Sequence, residues 1–110
     1  MTYQHQELAA GRWERLTFFE QMANIGSEVE RSLNWRVKQQ PSLAQRAFER
    51  ALELIDLTLA SVGTPARLRE LARVREAMAD YFAGQNHFAS SDISWRRYFS
   101  PFTDAVRRDR

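Results

Sequence analysis

The sequence predicts an all-α fold, an antiparallel up-down-up-down four-helix bundle, on three observations. Apolar residues recur every three or four positions along nearly the whole chain. No stretch alternates apolar and polar residues as a half-buried strand does, and no Asn-Gly pair marks a hairpin. Turn residues fall at Gln39-Gln40-Pro41, Gly63-Thr64-Pro65 and Gly84, and they divide the chain into four helical lengths. The helices are expected at about 12–38, 42–61, 65–83 and 91–107. They form one domain over 1–110, with 1–11 and 108–110 as flexible ends.

The first helix carries Leu16, Phe19, Met22, Ala23, Gly26, Val29, Leu33 and Val37 on one broad face, with Phe18 and Ile25 at its edge. Gly26 lies mid-face, where a glycine costs about 1 kcal/mol against alanine; its expected use is to let a neighbouring helix come close. Ser42-Leu43-Ala44-Gln45 reads as a capping box that opens the second helix. That helix turns Ala44, Ala47, Phe48, Ala51, Leu52, Leu54, Ile55, Thr58, Leu59 and Val62 inward. Gly63 suits the position just past its end. Thr64 suits the N-cap of the third helix and Pro65 its first turn. So short a link makes the second and third helices antiparallel neighbours. The expected register sets Phe48 opposite Met78, Leu52 opposite Val74 and Ile55 opposite Leu71. The third helix places Leu68, Leu71, Val74, Met78 and Phe82 inward and ends at Gly84. The fourth starts near Ser91-Asp92 and carries Trp95, Phe99, Phe102 and Val106 on one stripe, beside Tyr98. Pro101 is expected to kink or shorten it.

Composition narrows the function classes. The chain has 110 residues, 44% hydrophobic and 27% charged, which is ordinary for a globular domain able to bury its own core. It has no cysteine, so disulfides, thiolate zinc sites and a cysteine nucleophile are excluded, and a reducing cytoplasm fits. The N-terminus MTYQHQELAAGRW lacks the pattern of a secretory signal, and no apolar run reaches the roughly 20 residues that span a bilayer. Of the 16 basic residues only Lys38 is lysine, and acids leave a formal charge of +2, too small for the field of a dedicated nucleic-acid binder.

Residues that could carry chemistry are few. Neither histidine, His5 or His87, has the Glu-x-x-His partner of a bundle metal site, so no metal and no cofactor are expected. No nucleophile elbow or phosphate loop occurs. Glu49, Glu53 and Asp56 line an outer side of the second helix and read as a solvated face. In the second and third helices the bases precede the acids, against the helix dipole. An antiparallel pair compensates this by matching Arg46 with Asp80, Arg50 with Glu76, Glu53 with Arg73 and Asp56 with Arg69; much of both strips points away from the shared core, so the alternative is partners on another subunit. Arg75, at the edge of an apolar face, either snorkels or pairs with a carboxylate of helix one or two. Apolar residues on polar faces give the clearest functional signal. Trp13 and Trp35 fall on the polar side of the first helix with Arg31, and Leu57 falls on the polar side of the second. Aromatic residues mixed with arginine resemble interface hot spots, so these four are the candidate oligomer interface. A tryptophan preceding the helix could instead fold over the end of the bundle.

The segments FFEQMANIGSEVERSLNWR, AFERALELIDLTL, RLRELARVREAMADYF and NHFASSDISWRRYFSPF together resemble a family of conserved hypothetical bacterial four-helix bundles. That family is distantly similar to proteins encoded in 23S ribosomal RNA intervening sequences and to accessory variability proteins of diversity-generating retroelements. The resemblance implies a cytosolic homo-oligomer, a five-membered ring of bundles, with no assigned enzyme activity and no membrane association. The expected function is therefore a non-enzymatic interaction or scaffold protein. The alternative is an oligomer that binds RNA or DNA through Arg96, Arg97, Arg107 and Arg108.

Overall fold

The computed structural model describes residues 11–108, and His5 and the RNA-side candidates' flanking residues 109–110 lie outside that range. Four helices follow one another: α1 (Phe18–Val37), α2 (Pro41–Ser61), α3 (Pro65–Ala83) and α4 (Asp92–Arg108), preceded by a single 3₁₀ turn at Trp13–Arg15. The described residues contain no strand.

Side-chain contacts fix the directions. Between α1 and α2, Arg50 bonds Glu28 and Ser32 bonds the Ala44 carbonyl, so residue numbers rise in one helix as they fall in the other. The same holds for α2 and α3 through Asp56–Arg75 and Phe48–Phe82. It holds again for α1 and α4 through Glu30–Arg96 and Phe19–Phe102, and for α3 and α4 through Glu70–Tyr98 and Tyr81–Asp92. The bundle is up-down-up-down. Its core joins Met22, Ile25, Val29 and Leu33 of α1 to Phe48, Leu54 and Ile55 of α2, Leu71 and Met78 of α3, and Trp95 and Phe99 of α4.

At Gly26, α1 and α4 approach each other closely. A Cβ built there would stand 2.8 Å from the Cβ of Phe99. The close approach expected of this glycine is observed, and its partner is α4.

The first helix begins six residues later than the sequence pattern indicated. Thr17 and Glu20 form a capping box: the Thr17 hydroxyl accepts from the Glu20 N–H at 3.1 Å, and the Glu20 carboxylate accepts from the Thr17 N–H at 2.9 Å. Leu16 is extended, with ψ 147°, so the segment before Thr17 cannot continue the helix. It folds back instead, and the 3₁₀ turn carries Trp13 into the core.

Two further details differ from expectation. Pro41 occupies the first turn of α2 and Gln40 its N-cap, so Ser42 is already helical and Gln45 bonds Glu49 rather than reaching back. Proline's fixed φ is preorganised for that first turn, which moves the start ahead of Ser42. Phe48 stacks on Phe82, with ring centroids 5.2 Å apart, so the α2–α3 contacts run about one turn farther from the connection than the expected Met78 pairing. Side chains lean toward the N-terminus of their own helix, away from the turn in α2 and toward it in α3, so an α2 side chain meets an α3 residue farther from the turn than backbone levels suggest. Pro101 sits inside α4 without ending it. It is exposed, and so is Arg97, whose carbonyl loses its helical donor; water can serve that carbonyl.

The buried stripe of α1 is rotated toward α2. Ile25 is fully buried, whereas Phe19 is 48% exposed and Val37 70%. The rotation buries Gln21, Glu28 and Ser32, and each has partners: the Trp13 carbonyl, two arginines and the Ala44 carbonyl respectively. On α3, Leu68 is also half in solvent at 46%, and only Leu71, Val74 and Met78 are buried.

Candidate interaction surfaces

Trp13 does not belong to a surface. It is 1% exposed, and its indole Nε1–H donates to the Thr58 hydroxyl at 2.9 Å, while that hydroxyl donates to the Leu54 carbonyl at 2.8 Å. The Gln21 amide donates to the Trp13 carbonyl at 3.0 Å. A tryptophan can be buried this deeply because its N–H has an acceptor. The expected interface role of Trp13 is therefore corrected: it closes the end of the bundle.

The other three interface candidates fall along one seam between α1 and α2. Glu28, Arg31 and Trp35 follow at helical spacing on α1, and Arg50 and Leu57 do so on α2. The Glu28 carboxylate ties the two rows together, accepting from Arg31 at 2.9 Å and from Arg50 at 3.1 Å. Its side chain is only 10% exposed, and two guanidinium partners offset the cost of desolvating it. Trp35 is half-buried with the Lys38 ammonium 5.3 Å from its ring centre. Leu57 packs on the edge of the core.

The opposite flank of α1 faces α4. Phe19 and Val37 stand on this flank, and between them a groove of about 400 Å³ is lined by Ser27, Glu30, Arg96, Ser100 and Arg107. Arg96 Nε donates to both oxygens of Glu30, at 2.9 and 3.1 Å, and this bond holds the guanidinium pKa above its ordinary value. Arg96 and Arg107 thus face α1. Arg97 and Arg108 each stand one residue on, about 100° around the helix. All four arginines proposed for nucleic acid are exposed.

Other expected pairings are redistributed. Arg75 pairs with Asp56 of α2, Nε to Oδ1 at 2.7 Å, and this bond raises its pKa. Arg50 turns to Glu28 rather than Glu76. Asp80 serves the α3–α4 loop, accepting from the His87 N–H at 2.7 Å and the Phe88 N–H at 3.0 Å. The Phe88 bond is the main reason its pKa is lowered. The Tyr98 hydroxyl bonds Glu70 and the Tyr81 hydroxyl bonds Asp92.

A third surface went unread in the sequence. An apolar groove runs between α3 and α4, with Phe88 at its edge. Phe88 is the one large apolar residue in the loop between α3 and α4, and that is the available signal.

Among the described residues no group of three His, Cys, Asp or Glu is placed to hold a metal ion, and no helix is long and apolar enough to cross a membrane. Comparison with family models, with curated proteins and with solved structures finds no match to this chain.

Proposed function

We propose that the chain is a non-enzymatic, cytoplasmic interaction protein that acts as a homo-oligomeric scaffold. The observation that carries this reading is the placement of apolar side chains on both flanks of α1. Trp35 lies toward one end of the α1–α2 seam and Leu57 toward the other, with Arg31 between them. Phe19 and Val37 lie on the α4 side with much of their surface in water. Two different patches on one subunit are what a head-to-tail contact requires, and such contacts form rings where the rotation between subunits closes. The five-membered ring implied by the family resemblance is the proposed form. Three of the carboxylates are engaged in the fold: Glu28 with two arginines, Asp56 with Arg75, and Glu70 with Tyr98.

Sedimentation of the wild type and of Trp35→Ala tests this. The variant is expected to lower the assembly state or its stability while keeping the helical circular dichroism of the wild type. If Trp35→Ala unfolds the subunit, or leaves assembly unchanged, the seam is not the interface. The alternative, nucleic-acid binding through the exposed Arg96, Arg97, Arg107 and Arg108, predicts affinity that falls steeply with salt.

A further inference from the structure

The proposed assembly uses the two flanks of α1 and leaves α3, the helix diagonal to it, unused. Close backbone approaches concentrate between α1 and its neighbours α2 and α4, and they are sparse along α3. The Ser32 hydroxyl of α1 reaches a backbone carbonyl of α2, and Gly26 lets α4 come near. α3 is tied instead through the ends of long side chains. Arg75 pairs with Asp56 of α2, but the two side chains are 42% and 40% exposed, so water screens the pair. The Phe82 ring stacks on Phe48. Toward α4, Tyr81 donates to Asp92 and Glu70 accepts from the Tyr98 hydroxyl. Between those two bonds the helices stand apart, leaving the groove of about 250 Å³ with Val74 and Ala77 on one wall and Trp95 on the other. The inward face of α3 is small: Leu71, Val74 and Met78 are buried, and Leu68 is half in solvent.

Backbone and capping bonds divide the chain at two points, one on each side of α3. Before the helix, the Val62 N–H bonds back to the Thr58 carbonyl of α2. Thr64 bonds forward, its hydroxyl accepting from the Arg67 N–H and its carbonyl from the Leu68 N–H. Gly63 lies between the two sets, with open space where a Cβ would stand. After the helix, the loop bonds back as far as Ser90. The Asp80 carbonyl accepts from the N–H groups of Gly84 and Asn86, and the Asp80 carboxylate from those of His87 and Phe88. The Asn86 side chain then bonds Ser90 twice, donating to its carbonyl and accepting from its N–H. From Ser91 the bonds run forward into α4: its hydroxyl accepts from the Ser94 N–H and its carbonyl from the Trp95 N–H. α3 and its loop are one bonded unit, with joints at Gly63 and at the Ser90–Ser91 peptide.

We infer that α3, with the loop through Ser90, is a hinged lid on a packed frame of α1, α2 and α4, and that the Tyr98–Glu70 and Tyr81–Asp92 bonds are its latches. Segments with few buried apolar side chains open at the lowest free energy, and hinge motions turn on a few residues at the ends of elements. The joints stand at opposite ends of α3, so the lid rocks about a line along the helix and widens the gap to α4. Closed, the groove is smaller than the roughly 300–1,000 Å³ of ligand pockets; opening uncovers its Val74 and Trp95 walls. The patches on the flanks of α1 belong to the frame, so the lid does not depend on the number of copies in the assembly.

The test is amide hydrogen exchange of the full-length protein, read residue by residue by nuclear magnetic resonance and corrected for intrinsic rates. An undocked helix of this length is marginal in water, so its amides exchange when the lid is open. Leu71, Val74 and Met78 are expected to exchange together, at least about tenfold faster than Val29 of α1, Leu54 of α2 and Phe99 of α4. Two variants separate lid from frame. Tyr81→Phe/Tyr98→Phe keeps both rings and removes both latches, which act only in the closed state; α3 should exchange about tenfold faster again, the factor of one hydrogen bond to a charged group. Ser32→Ala removes an α1–α2 bond that survives when the lid opens, so it should speed Val29 and Leu54 about fivefold and leave Leu71, Val74 and Met78 unchanged. If the double variant loses its helical circular dichroism, Tyr98→Phe alone takes its place. The lid is overturned if α3 exchanges no faster than α1 and α2, if Phe99 exchanges at the rate of α3, if Ser32→Ala speeds α3 as much as the frame, or if removing the latches leaves α3 exchange unchanged.

Discussion

Replacing Gly26 by alanine sets two effects of known sign against each other. In an open helix the change gains about 1 kcal/mol of helix propensity. Here the new methyl would lie 2.8 Å from Phe99 Cβ, 2.9 Å from its Cγ and 3.0 Å from its Cδ1. The nearest atom is fixed to the α4 backbone, so no rotamer change can clear the contact. Phe99 is 4% exposed and its ring stacks on Trp95, so it cannot swing aside. Overpacking of this kind costs about 1–3 kcal/mol, and the net expectation is a loss of about 1 kcal/mol. For a domain of this size that lowers the melting temperature by roughly 4–8 °C. Urea unfolding with the slope held constant measures it directly. Combining Gly26→Ala with Phe99→Gly, which also removes that Cβ, should recover more than about 0.5 kcal/mol relative to additive single changes. A Gly26→Ala protein more stable than the wild type by about 1 kcal/mol would refute the close α1–α4 approach.

Three other perturbations probe separate parts of the account. Trp13→Ala should cost about 3–5 kcal/mol in thermal or denaturant unfolding, as a core aromatic does; a change within about 0.5 kcal/mol would return Trp13 to the surface. At Gly63 a Cβ would meet nothing within 4 Å and φ is not left-handed, so Gly63→Ala should gain up to about 1 kcal/mol by restricting the unfolded chain, and a loss of similar size would show strain in the turn. Burial, then the bond to Glu70, raises the Tyr98 pKa, and burial, then the bond to Asp92, raises that of Tyr81, both above the ordinary 10.0. The stability this contributes is complete below pH 10.0 and is lost as the pH rises above it. Phenolate absorbance in Tyr→Phe variants should therefore show these two residues ionising late and together with unfolding; normal titration in an intact fold would contradict their hydrogen bonds.

Much of the fold was legible because four apolar stripes and three turn signals agree, and each signal has a local cause. Gly26 could be read as a point of close approach because little else justifies a glycine in mid-helix. Thr64 and Pro65 could be read as a helix start because their side-chain and backbone chemistry act within one turn; the Thr64 hydroxyl accepts from the Arg67 N–H. Trp13 was misplaced because the helical period ran on through Arg12–Thr17, and the competing Thr17–Glu20 capping box was overlooked. The rotation of α1 was hidden for a different reason. Gln21, Glu28 and Ser32 look like surface residues, and only partners distant in sequence make their burial tolerable. Those partners, Arg50 and Ala44 on α2 and Trp13 beyond the helix, are set by tertiary packing. Charge pairing failed likewise: Arg50 and Asp80 each found a nearer partner than the one their level on α2 and α3 suggested. The α3–α4 groove arises from the spacing of two helices, which no stripe of residues encodes.

The central claim is that this bundle works as an assembly of identical subunits. Static light scattering of the purified full-length protein at tens of micromolar measures it most directly. A mass that is an integral multiple of the 12.9 kDa chain, five for the proposed ring, is the predicted result, with Trp35→Ala reducing it. A mass of one chain across that concentration range would contradict the claim.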